Sequence, residues 1–148
     1  MKILGIDYGE KRIGLAMSDV SNMVAGSLKV VKRNATRSWL GEIKTIVDEN
    51  KIEKIVIGLP KNMNGSIGEK GKEVLVFMKV LGKVVKVPIV TWDERLTTVS
   101  AEKVLLQADL SRKKRKDILD KLSACIILQN YLDSIEYNQK EKSKESNK

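Results

Sequence analysis

Residues 1–19, MKILGIDYGEKRIGLAMSD, decide the fold. An apolar run, Ile3 to Ile6, delivers one carboxylate, Asp7, at the end of a strand. A tight glycine-bearing turn, Tyr8 to Lys11, is followed by a second run, Ile13 to Met17. Strand-like composition around turn residues predicts a β-hairpin whose first strand is central and buried. A carboxylate where a central strand meets a loop is costly unless something positive compensates for it. That cation is an Arg or Lys, a cluster of backbone N–H groups, or a metal.

Outward from this hairpin, Val20 to Ala25 reads as a polar loop and Ser27 to Lys32 as a third strand, completing an antiparallel meander. Residues 37–50 read as a helix, with Trp39, Leu40, Ile43, Ile46 and Val47 on one face and Asn50 as its stop. Lys54 to Leu59 is apolar without alternation, the pattern of a strand buried on both faces. Pro60 to Gly68 is an Asn- and Gly-rich loop, and Ser66 and Glu69 have capping-box spacing. The helix that follows carries Val74, Phe77, Met78 and Leu81 on one face, with Gly71 and Gly82 weakening it. Val87 to Trp92 reads as a strand, residues 99–107 as a helix, and Asp117 to Ile135 as a packed last helix. Residues 138–148 have the composition of a disordered tail. The order predicts an α/β fold in one domain, residues 1–137, with a five-stranded mixed sheet flanked by helices. Three strands form the meander and two run parallel.

A chain of 148 residues fits one domain with a sizeable core. No apolar run is long enough to span a bilayer, and the N-terminus moves directly into a strand rather than a signal peptide. The single cysteine, Cys125, fits a reduced, cytoplasmic setting. The formal net charge of +9, from 28 basic and 19 acidic residues, suits a polyanionic partner such as nucleic acid, although Lys-rich proteins without one are common. Aromatics are only 4%, too few for a base-stacking platform to dominate binding. There is no histidine. This removes His-based acid–base catalysis, Ser-His and Cys-His dyads, and His-ligated zinc. Chemistry here falls to carboxylates, lysines, hydroxyls or a hard metal held by oxygen.

Three carboxylate sites stand out. Asp7 ends the first strand, the pair Asp93 and Glu94 follows the last strand, and Asp120 opens the packed last helix. If the strands from Lys2, Lys54 and Val87 run parallel, the first two sites share one sheet edge, where ligand sites of open α/β sheets form. Asp19 lies at the opposite end of the return strand. Each site also has a structural reading. Asp7 could pair with Lys11 or Arg12, Asp93 and Glu94 could cap a helix or bind Arg95, and Asp120 could oppose a helix dipole. Together, converging carboxylates can hold one or two Mg²⁺ or Mn²⁺ ions for phosphodiester hydrolysis. Lys11, Arg12, Arg95 and the run Arg112, Lys113, Lys114, Arg115 and Lys116 supply cations for a phosphate backbone. The loop residues Asn62 and Asn64 are further candidates for substrate contact.

Four stretches, ILGIDYGEKRIGLAMSD (3–19), VIGLPKNMNGS (56–66), TWDERLTT (91–98) and DKLSACIILQNYLD (120–133), together resemble the YqgF (RuvX) family. The resemblance covers nearly the whole chain except the tail. It implies a ribonuclease H-like fold and a metal-dependent nuclease with Asp7, Glu94 and Asp120 as its acidic triad. It also matches Arg95 to a family position. The implied activity is maturation of the 5′ end of pre-16S ribosomal RNA, with a ribosomal precursor particle as partner. The family is also similar to Holliday-junction resolvases, which implies branched DNA as the alternative substrate and a dimer in place of a monomer. Lys61, Ser123 and Gly71 depart from the family pattern without touching the triad. Two further readings compete. Asp7-x-Gly9-x-x-x-x-Gly14 resembles the first phosphate loop of actin-like kinases, but those close two such domains on ATP. A non-catalytic nucleic-acid-binding module would keep the fold without the activity.

Overall fold

The computed structural model describes residues 1–96 and 112–146, with side chains of the second stretch from Leu122 onward. The strands are β1 (Ile3–Tyr8), β2 (Arg12–Ser18), β3 (Ala25–Lys32), β4 (Lys54–Leu59) and β5 (Ile89–Asp93). The helices are α1 (Ser38–Glu49), α2 (Glu69–Leu81) and α3 (Arg112–Ser146), and a short 3₁₀ turn, Glu94–Leu96, follows β5. The sheet order is β3-β2-β1-β4-β5. β1 pairs antiparallel with β2 and parallel with β4, and β5 adds parallel to β4. The meander, the central β1 and the parallel alignment of β1, β4 and β5 thus match the sequence expectation.

Alternation along β1 divides its side chains between two layers. Leu4 and Ile6 join Ile13, Leu15, Ile55 and Ile57 in a core closed by α1 and α2. Ile3 joins Ala16 and Val56 in a second core under Ala124, Ile127, Leu128 and Leu132 of α3. α1 ends where Asn50 folds back, its N–H and side-chain amide both donating to Ile46 O.

Several boundaries differ from expectation. The capping box before α2 does not form. Gly68 occupies the cap with no side-chain hydrogen bond, and the Ser66 hydroxyl donates instead to Asn64 Oδ1 at 2.6 Å. β5 begins at Ile89 because Pro88 has no N–H to add to a ladder; its carbonyl accepts from Ile55 N–H at 2.9 Å. Gly71 is buried, and a Cβ there would lie 2.8 Å from Pro60 O, so the first turn of α2 needs glycine to approach the preceding loop. α3 continues through Ser146, into the stretch whose composition suggested disorder. The helix expected over 99–107 lies outside the described residues.

Candidate active site

Three parallel strands end on one edge of the sheet, and a cleft of about 460 Å³ opens there. Asp7, Gly58 and Glu94 line it from β1, β4 and the turn after β5. The turn between β1 and β2 contributes Lys11 and Arg12, and α2 contributes Lys70 and Glu73. Asp7 is held by the hairpin ladder opposite Gly14. The turn closes through a Gly9 N–H to Arg12 O hydrogen bond of 2.9 Å, and a Cβ on Gly9 would meet that oxygen at 2.7 Å. Only glycine fits the turn that follows the carboxylate.

Asp93 and Glu94 are neighbours in sequence with opposite surroundings. Asp93 Oδ1 accepts the Arg95 N–H at 3.0 Å, and its Oδ2 pairs with Arg95 Nη2 at 2.7 Å. These hydrogen bonds hold the Asp93 carboxyl below its ordinary range. Arg95 then reaches across to Met63 O at 3.3 Å and ties the β4–α2 loop to the end of β5. Glu94 turns the other way, into the cleft. Burial, then the charge of Asp7, push its pKa up to about 7, opposed by the charge of Lys70. The two acids thus divide the roles that their spacing left open, in the sense the family resemblance implies: Asp93 binds Arg95 and Glu94 faces Asp7.

Gly58 makes that orientation possible. A Cβ at this position would lie 2.6 Å from Glu94 Oε1 and 2.5 Å from Ile127 Cδ1. The residue was absent from the sequence candidates, yet a glycine inside the apolar run KIVIGL was the available signal for close approach. Lys70 and Glu73, also absent, carried no such signal because exposed charges on a helix are ordinary.

The remaining candidates divide. Asn62 and Asn64 fold their own loop. The Asn62 amide donates to Ser66 Oγ at 2.9 Å, Asn64 Oδ1 accepts from Ser66, and neither residue lines the cleft. Arg112 to Lys116 open α3, and Asp120 lies in its early turns, with side chains outside the described residues. The backbone path of α3 still bears on Asp120. Ala124 and Leu128 lie over Gly5, while Gln129 exchanges hydrogen bonds with Met23 O and Ala25 N–H at the opposite end of the sheet. The helix therefore starts from the edge that carries Asp7 and Glu94. Ala124 and Ile127 bury against the sheet.

Among the described residues, two carboxylates approach in the cleft and no cluster of three acidic, His or Cys groups forms. Burial and the nearby charge of Asp7 together raise the cost of ionising Glu94. Such a pair fits a hard cation with oxygen ligands, the cation that would relieve the repulsion.

Comparison with known proteins adds relatives over most of the chain. The family model described as "RuvX: Holliday junction resolvase" matches residues 1–134. A Thermoanaerobacter pseudethanolicus protein named "Putative pre-16S rRNA nuclease" is 49% identical over 135 residues, covering 90% of this chain and 97% of that one. A Clostridium kluyveri protein of the same name is 50% identical over 135 residues, covering 91% and 98%. Among solved structures, Thermus thermophilus RuvC in complex with Holliday junction substrate superposes with a TM-score of 0.58 at 18% identity, over 93% of this chain and 96% of that chain. A second Thermus thermophilus RuvC structure gives 0.53 at 17% identity, over 90% and 96%. At that identity the likeness is one of fold, the ribonuclease H-like sheet and its helices.

Proposed function

The chain belongs to the RuvX family, and on that premise we propose that it is a metal-dependent endonuclease that processes the 5′ end of pre-16S ribosomal RNA. The observation that carries the reading is the approach of Asp7 and Glu94 in one cleft, flanked by Lys11 and Arg12. Relatives with about half of the sequence in common carry the pre-16S rRNA nuclease name, which favours RNA as substrate.

Asp7 and Glu94, with Asp120 as third ligand, would hold one or two Mg²⁺ or Mn²⁺ ions. Bound metal supplies a nucleophile from water at neutral pH and stabilises the leaving oxygen. The protein's own part is positional. The hairpin ladder fixes Asp7, and Gly58 leaves room for Glu94 to face it. Lys11 and Arg12 neutralise phosphates on one side of the carboxylates, and Lys70 does so from α2. The basic run Arg112 to Lys116 extends the phosphate contacts along the entry to α3.

The family description favours one alternative substrate, a four-way DNA junction. Both are tested together by incubating wild type and Asp7→Asn with labelled pre-16S 5′ leader RNA and with a DNA junction, in Mg²⁺, Mn²⁺ or chelator. Metal-dependent cutting of the RNA, lost in Asp7→Asn while RNA binding and folding persist, is the expected outcome. Cutting of the junction alone would replace RNA with branched DNA. Full activity in Asp7→Asn would remove the carboxylate site from the mechanism.

A further inference from the structure

The turn that carries Lys11 and Arg12 is held from outside by one residue that no catalytic reading includes. Arg33 follows β3, and its backbone N–H donates to Lys11 O at 2.9 Å. Its side chain returns across the same turn, and Nη1 donates to Gly9 O at 2.7 Å. Between these two anchors the guanidinium lies over the Tyr8 ring, 4.4 Å from the centroid. Tyr8 in turn stacks on Phe77 of α2, with centroids 4.2 Å apart and planes inclined by 19°. Two groups this close cannot share one face of the ring, so Tyr8 is enclosed between Arg33 and Phe77. Although it lines the cleft beside Asp7, it has no face left for stacking on a base.

We propose that Arg33 is a positioning residue: it braces the Gly9–Arg12 turn so that the Lys11 cation stands ready for the phosphates of the substrate. The inference rests on the nucleic-acid reading of the cleft. A planar guanidinium can donate in its plane to Gly9 O while its flat face stacks on Tyr8, whereas a lysine ammonium has no plane to stack and a different reach. The brace acts on the turn and not on the carboxylate. Asp7 is fixed independently, in register with Gly14 of β2. Loss of the brace should therefore weaken substrate binding while leaving the cleavage step intact, a split that general damage to the fold would not produce. Preorganised cations bind more tightly because the ordering cost is already met.

The test combines Arg33→Ala and Arg33→Lys with Lys11→Ala in a double-mutant cycle. Affinity for the labelled pre-16S 5′ leader RNA is read by anisotropy in Ca²⁺, cleavage by single turnover at saturating protein, and exchange of the Gly9 to Arg12 amides by NMR. The expected result is about a tenfold loss of affinity in both Arg33 variants, equivalent to about 1.4 kcal/mol. The saturating cleavage rate stays within about threefold, and the turn amides exchange faster while the β1–β2 ladder amides do not. In the Lys11→Ala background, Arg33→Ala should cost less than about twofold more, because the two act through one turn. Additive losses would make Arg33 an independent phosphate contact and overturn the brace, as would unchanged turn exchange. A wild-type protein that binds no RNA would overturn the functional reading itself, a result distinct from binding with additive losses.

Discussion

Glu94 is a residue whose ionisation the fold resists. Its pKa of about 7 comes first from burial and next from Asp7, so the carboxylate is disfavoured where an exposed glutamate would ionise freely. The sign for stability follows from linkage. The folded-state pKa lies above the ordinary value of 4.5, so the favourable protonated form contributes fully below that value and is lost as pH rises through about 7. Glu94→Gln should therefore raise the metal-free melting temperature at pH 8, change it little at pH 4, and abolish cleavage. Thermal melts in chelator at both pH values check this, and equal shifts at both would contradict it. Mg²⁺ should narrow the difference at pH 8 by stabilising wild type alone. At this scale the spacing of residues showed two adjacent acids but not which one faced inward; only the family resemblance pointed to Glu94. That choice depends on Arg95 capturing Asp93 and on the space at Gly58, both of which are three-dimensional.

Helix α2 sets helix propensity against packing. Replacing Gly71 with alanine would favour an isolated helix by about 1 kcal/mol. The added Cβ would lie 2.6 Å from Ile67 Cγ2 and 2.8 Å from Pro60 O, and relieving that overlap costs about 1–3 kcal/mol. Because Pro60 O belongs to the backbone of the loop lining the cleft, the overlap should prevail. Gly71→Ala is expected to lower stability in urea unfolding, and a stabilised variant would contradict the close approach. The strands were legible because their signal is local: KIVIGL reads as a buried strand and is one, Lys54–Leu59. The end of α3 was not, because apolar periodicity stops there while charge spacing continues. Glu136 pairs with Lys140 at 3.1 Å and Glu141 with Lys144 at 3.6 Å, the i,i+4 and i,i+3 pairs that support a solvated helix. The capping box before α2 failed for a different reason. Asn64 competes for the Ser66 hydroxyl, and a four-residue motif cannot show that competition.

For the molecule as a whole, a charge of +9 makes binding to a polyanion depend on salt. Replacing Arg112 to Lys116 with serine should weaken RNA binding and reduce the slope of log K against log salt by about 0.7 for each phosphate no longer neutralised. Binding titrations across salt concentrations check this, and an unchanged slope would leave the run a solubility feature. The sheet topology was legible as a whole because the meander and the αβ units each permit few connections. The cleft was legible in part, since its floor comes from strand ends but its walls come from a turn and a helix face. The same topology imposes a timetable. β1 is synthesised first, yet its parallel neighbour β4 begins only at Lys54. At ribosomal rates of roughly 5–20 residues per second, the nascent hairpin waits about 2–7 seconds with one side of its central strand unpaired. Asp7 waits longer still, until Glu94 has been made. An emerging chain is therefore exposed to aggregation along β1 before it can assemble its carboxylate pair, and the cleft is among the last parts of the protein to exist.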